Sequence, residues 1–209
     1  MYRHEPLEKY LREAASGSPT PGGGSVSALV GALGTTMACM AANFTVGREK
    51  FKAVEPRVRE LLAECDASWD KLVNLMQADT EAYAKVSAAY GMPKATAAEK
   101  AARTAAIQEA LKIALSVPLD AVRASQRVLT LVRELVDLAN PNLISDVGVA
   151  AILVEAALAG AKLNVDINLA GLKDTQFVAQ VRAEVDGAAA FAADTRRAVM
   201  EKVEKAIQR

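Results

Sequence analysis

Apolar residues recur along most of the chain at spacings of three and four, and period-two alternation is almost absent, so the pattern predicts helices and no sheet. Tyr2 to Ala15 reads as a short amphipathic helix that stops at Gly17. The next helix, Ser25 to Val46, carries two adjacent stripes. Val26, Val30, Leu33, Met37, Met40 and Phe44 are bulky; Ser27, Gly31, Gly34, Ala38, Ala41 and Thr45 are small. That pairing predicts burial on both sides, with another backbone pressed against the small stripe. A third helix has Pro56 in its first turn and runs to about Tyr90, ahead of Gly91 and Pro93. Thr96 and Glu99 form a capping box for a fourth, which extends to about Ala139 with Pro118 set to kink or split it. After the turn Asn140-Pro141-Asn142, a fifth helix opens at Ser145 and Asp146. The last starts from a cap at Asp174, and its many charges place it on the outside. No repeat, linker or composition shift interrupts the series. The expected fold is a single all-α domain over residues 1–209, a bundle of five to six long helices around a buried small-residue central helix.

Residues that break the pattern carry the candidate chemistry. The third helix has the inward stripe Val58, Leu62, Cys65, Trp69, Leu72, Met76, Asp79, Tyr83, Val86, Tyr90, and one member is a carboxylate. A buried carboxylate with no cation beside it has its pKa raised, which suits proton transfer near neutrality. Tyr83 lies one turn on and is placed to hydrogen-bond to it. The alternative role for Asp79 is a salt bridge with Arg123 or Arg133. Ahead of the second helix stands Pro19-Thr20-Pro21-Gly22-Gly23-Gly24-Ser25. Prolines exclude helix before the turn, and Gly22, Gly23 and Gly24 leave free amides and a positive dipole end pointing into it. This is either a ligand cradle or a glycine-rich connector capped by Ser25. Asp146, Ala150, Leu153, Ala157, Gly160, Asn164 and Ile167 form the inward stripe of the fifth helix. Asp146 is a second candidate acid or an ordinary helix cap. Asn164 and Asn168 offer amides to a ring system, or cap the helix end. Eighteen residues separate Asp146 from Asn164, roughly 27 Å at the helical rise. A continuous helix therefore cannot bring both to one reacting atom of the same site, and one would serve a distant part of a long substrate or a neighbouring subunit's site.

Composition narrows the classes. Lys plus Arg and Asp plus Glu each number 25, giving no net charge, which argues against a nucleic-acid surface or a polybasic membrane patch. A single histidine, His4, makes a His-based triad or zinc site implausible, and no Cys-x-x-Cys or nucleotide phosphate loop is present. No metal or nucleotide site is expected. Cys39 and Cys65 fall in apolar stripes and read as buried thiols in a reducing compartment. No apolar run follows Met1-Tyr2-Arg3-His4-Glu5-Pro6, so no secretory signal is expected. The segment from Glu13 to Arg48 holds no charge between its ends and is long enough to span a bilayer. It is rich in Ala, Gly, Ser and Thr, and no second span of similar quality stands out, since Leu143 to Leu172 contains Asp146, Glu155, Lys162 and Asp166. A buried helix in a soluble, cytoplasmic protein is the preferred reading.

Several stretches also carry a resemblance. Pro19 to Ala28, then Ala41-Ala42-Asn43-Phe44-Thr45-Val46-Gly47, Asp79 with Tyr83, and Ala89-Tyr90-Gly91-Met92-Pro93-Lys94 are four of them. Ser116-Val117-Pro118-Leu119, Ser145-Asp146 and Asn164 to Leu169 follow in order. Together they resemble the cyclodeaminase/cyclohydrolase family, over about Leu7 to Asp174. The resemblance implies a homodimer with its site near the subunit contact. It also implies a substrate, tetrahydrofolate with one carbon between N5 and N10, and no cofactor beyond that substrate. Water attack on the methenyl carbon gives 10-formyltetrahydrofolate; alternatively, N10 attacks a formimino carbon on N5 and ammonia leaves. Asp79 and Asp146 are then the catalytic candidates, and Gly22, Gly23, Gly24, Ser25, Tyr83, Asn164 and Asn168 the substrate-binding ones. From another class, the rival is a non-enzymatic helical scaffold or folate-binding module.

Overall fold

The computed structural model describes residues 2–208; Met1 and Arg209, within the expected domain span, lie outside the described residues. Six α-helices follow a short 3-10 turn at Tyr2–His4: α1 (Leu7–Ala14), α2 (Gly23–Asn43), α3 (Glu55–Tyr90), α4 (Ala97–Leu138), α5 (Ile144–Ala170) and α6 (Thr175–Ile207). No strand occurs among the described residues. α2 lies between α3 and α5, and α4 packs on both of those; α6 closes the outside of α4 and α5. The bundle thus has five long helices and one short one.

Local signals set the ends. The Thr96 hydroxyl accepts from the Glu99 amide, and the Glu99 carboxylate accepts from the Thr96 amide, completing the capping box. The Asp174 carboxylate accepts from the Phe177 amide and starts α6. Pro118 does not split α4, which runs through it unbroken, although the helical bond that its missing N–H would donate is lost. Exposed pairs such as Arg57 with Glu134 (2.6 Å) and Arg123 with Glu184 (2.6 Å) join neighbouring helices; each contributes little on its own.

Small residues explain how α2 and α5 approach. A Cβ added at Gly34 would meet Val154 Cγ2 at 2.6 Å, and one at Gly31 would meet Ala157 Cβ at 3.3 Å. Alanine at Gly34 would overpack the contact at about 1–3 kcal/mol. The small stripe is therefore pressed against another backbone, as its composition implies. The bulky stripe is different. Val26 is 38 %, Leu33 48 %, Met40 36 % and Phe44 44 % exposed, so α2 is not buried on both sides by its own chain. α5 also shows a bare apolar row, Val149, Ile152, Leu163 and Ile167.

The hydropathy expectation also needs correction. Two helical stretches, Gly23–Asn43 and Pro141–Ala170, are long and apolar enough to cross a membrane, and the second has the higher mean hydropathy, 1.9 against 1.5. About half of each is packed inside the bundle.

Candidate active site

The turn before α2 and the facing sides of α3, α4 and α5 enclose a cavity of about 410 Å³, within the size range of small-molecule sites. Pro19, Thr20 and Gly22 to Gly24 form one wall, and the Thr20–Pro21 peptide is cis. Asp79, Tyr83, Val86 and Tyr90 run along α3; Leu111 and Ala114 come from α4; Asn164, Ile167 and Asn168 come from α5. The apolar stripe that carries Asp79 is thus buried along its first half, at Val58, Cys65, Leu72 and Met76, and opens into the cavity along its second.

Among the described residues, Asp79 is the only charged side chain in this lining. Its Oδ2 accepts a hydrogen bond from the Ser25 amide at 3.0 Å. Burial pushes its pKa above the ordinary 3.8, and the Ser25 amide pulls it part of the way back. Among the described residues it has no cationic partner: Arg123 is engaged by Glu184 and Asp120 (3.5 Å), and Arg133 is exposed on α4. The salt-bridge alternative is therefore not realised. Nor does Tyr83 hydrogen-bond to Asp79; its side chain is 45 % exposed and forms part of the cavity wall.

The glycine turn works as a helix start. Gly22 caps α2 in an extended conformation, and the Val26 amide closes the first helical bond on the Gly22 carbonyl. Gly24 is dictated by Asp79: a Cβ there would overlap Asp79 Oδ1 and lie 2.8 Å from its Cγ. Gly23 is looser, since a Cβ would meet Asn164 Nδ2 at 3.4 Å. The Gly23 and Gly24 amides belong to the first turn, where no helical carbonyl precedes them, and both residues line the cavity.

Ser25 does not line the cavity. It is fully buried, and its hydroxyl donates to the Met76 carbonyl at 2.7 Å. The Ser25 hydroxyl proton is thereby used, so the Tyr10 hydroxyl at 2.9 Å donates to Ser25 Oγ. Tyr10, on α1 and 3 % exposed, is a residue the sequence reading missed. Burial raises its pKa, the Ser25 bond lowers it, and the nearby Asp79 carboxylate raises it further. Asn164 and Asn168 each donate through Nδ2 to a carbonyl one turn back, Gly160 and Asn164 respectively, both at 2.9 Å. Their Oδ1 atoms remain as acceptors. Asp146 stands apart, in the first turn of α5, at the end opposite the cavity. Among the described residues, no group of three or more His, Cys, Asp or Glu side chains is arranged to hold a metal ion.

The family model for formiminotransferase-cyclodeaminase matches residues 6–187. The chain belongs to that family. A methenyltetrahydrofolate cyclohydrolase from Methylorubrum extorquens is 38 % identical over 207 residues, covering 99 % of this chain and 100 % of the relative. The formimidoyltransferase-cyclodeaminase of Sus scrofa is 35 % identical over 201 residues, but the chain spans only 37 % of that protein's length. A crystal structure of formiminotetrahydrofolate cyclodeaminase from Thermotoga maritima superposes with a TM-score of 0.90 at 31 % identity, covering 99 % of this chain and all of that one. Family membership and fold thus agree with a helical enzyme; of the wall, Gly22, Gly23, Gly24, Asp79, Tyr83, Asn164 and Asn168 were candidates in the sequence, while others, Leu111, Ala114 and Ile167 among them, were not. Being apolar, these three carry no chemical signature that singles them out in a sequence.

Proposed function

We propose that the protein is a folate one-carbon enzyme and that it hydrolyses 5,10-methenyltetrahydrofolate to 10-formyltetrahydrofolate. One observation carries the reading: a single carboxylate, Asp79, faces a mid-sized cavity beside free helix-start amides, without a cation to fix it as a structural ion. Water attacks the methenyl carbon and loses a proton to Asp79. The tetrahedral carbon then carries a hydroxyl between N5 and N10. Loss of the hydroxyl proton and cleavage of the C–N5 bond leave the formyl group on N10, N5 takes up one proton, and one proton is released overall. The Gly23 and Gly24 amides suit a ring carbonyl, and the Asn164 and Asn168 oxygens suit ring N–H donors. The chemistry asks only for protein groups and the substrate. Asp146, at the other end of α5, does not reach this carbon within the same subunit.

Hydrolysis is preferred because, of the two relatives matched over their full length, the cyclohydrolase has the higher identity, 38 % against 31 %. The Thermotoga maritima structure favours a second reading, cyclodeamination, in which N10 attacks the formimino carbon and the same carboxylate manages the protons. Purified protein supplied separately with methenyltetrahydrofolate and 5-formiminotetrahydrofolate separates the two. Loss of the methenyl chromophore above the spontaneous rate means hydrolysis; ammonia release with chromophore gain means deamination; neither, with no thermal shift by any reduced folate, returns the scaffold reading.

The bare apolar rows on α2 and α5 support a homodimer, with a second copy covering them. Ile167 belongs to both a bare row and the cavity wall, which supports a subunit contact next to the site. The two cysteines are free, in keeping with a reducing cytoplasmic setting.

A further inference from the structure

Folates bear one or more glutamate carboxylates, yet among the described residues no cation lines the cavity. Two cations near its walls are already paired. Lys112 lies 3.4 Å from Asp174 and over the Phe177 ring, and Lys162 lies 2.9 Å from both Asp166 and Asp186. Lys85, Lys94, Lys173 and Arg103 have no acidic partner among the described residues, and of these only Arg103 has its side chain fixed by hydrogen bonds. Its Nε and Nη2 donate to the Tyr90 carbonyl at 3.3 and 3.0 Å, and its guanidinium lies 5.6 Å from the centre of the Tyr90 ring. Among the described residues it has no acidic partner. Glu99, one turn before it, is turned away to accept from the Ala95 and Thr96 amides instead. The Nε edge of the fork is occupied, and the Nη1–Nη2 edge stays open, the geometry that receives a carboxylate through two parallel bonds.

Position along the groove matches. Tyr90 lies eleven residues beyond Asp79 on α3, and Arg103 lies eleven residues before Ala114 on α4. Each interval is about 16 Å at the helical rise, and eleven residues return a side chain to nearly the same helix face. The two helices run in opposite directions, so Asp79 and Ala114 mark one end of the groove and Tyr90 and Arg103 the other. In a tetrahydrofolate the glutamate carboxylates stand roughly 10–13 Å from N10 by ordinary bond lengths. An arginine side chain covers the remaining few ångströms.

Resting on the folate reading above, we propose that Arg103, held by Tyr90, binds a glutamate carboxylate of the substrate and so orients the one-carbon bridge towards Asp79. The test is a two-by-two comparison of dissociation constants: wild type and Arg103→Gln, each with tetrahydrofolate and with tetrahydropteroate, which lacks the glutamate. Wild type is expected to bind tetrahydrofolate about tenfold to a hundredfold more tightly than tetrahydropteroate. Arg103→Gln should lose that preference while binding tetrahydropteroate as wild type does. The proposal is overturned if the substitution weakens both ligands equally, which would mean a structural role, or if it leaves the tetrahydrofolate preference intact. Wild-type binding without turnover would cost the reaction assignment and leave this inference standing. Failure of wild type to bind either ligand would remove both.

Discussion

The Ser25 amide donates a 3.0 Å hydrogen bond to Asp79 Oδ2, joining the first turn of α2 to a carboxylate fifty-four positions later in the chain. The bond does two things. It partly offsets the cost of burying the carboxylate, and it orients the carboxylate at the glycine-rich wall of the cavity. The Ser25 hydroxyl on the Met76 carbonyl and the Tyr10 hydroxyl on Ser25 Oγ hold that amide in place.

Tyr10→Phe removes the outermost member of this chain. The phenyl ring stays buried, and Ser25 keeps its bond to Met76, so the cost in stability should be about 0.5–1.5 kcal/mol. Because the Ser25 amide is then less firmly held, the pH limb set by Asp79 in kcat should move upward. An unchanged pH profile would separate Tyr10 from the site.

Glycine substitutions should divide by position. Gly24→Ala forces Asp79 aside, since the new Cβ would overlap its carboxylate, and turnover should fall about as far as on loss of the carboxylate itself. Gly23→Ala meets only Asn164 at an ordinary distance, so it should fold normally and raise KM by narrowing the cavity. Circular dichroism melts with steady-state kinetics check both.

Much of this site was legible because Asp79 is a charge on an otherwise apolar stripe, and because glycines before an uncharged helix announce a close approach. The capping box at Thr96 and the cap at Asp174 were readable for a similar reason, since each uses a side chain with a specific bond to make. Tyr10 was not legible. Its role depends on α1 folding back onto α2, and a short amphipathic helix shows only that it has one wet and one dry side. The bulky stripe of α2 was misread for the same physical reason: periodicity reports which residues share a face, not whether this chain or another covers it.

Charge placed on that stripe should reveal its partner. Leu33 is 48 % exposed, and Leu33→Asp removes apolar surface from the proposed contact while leaving the packed small stripe alone. Light scattering should give twice the 22.0 kDa chain mass for wild type and a single chain mass for the variant. A monomeric wild type would contradict the dimer.

Asp79 should destabilise the fold when ionised. Its pKa is raised in the folded state, so its stabilising contribution is fully present below the unfolded value of about 3.8 and is lost as pH rises through the higher folded value. Asparagine at this position keeps an acceptor for the Ser25 amide and carries no charge. Asp79→Asn should therefore gain in melting temperature relative to wild type as pH rises from 4 towards 8. A constant difference across that range would show that the carboxylate is not desolvated.

The central claim is that Asp79 moves the proton at the one-carbon bridge, and the rate of Asp79→Asn on methenyltetrahydrofolate tests it most directly. Loss of chromophore, corrected for the spontaneous rate, should fall by ~10² to 10⁴ in kcat with folding and oligomeric state unchanged. Asp146→Asn, altered at the far end of α5, should stay within about threefold of wild type, since the helical rise separates it from the cavity. Near wild-type turnover by Asp79→Asn would contradict the account.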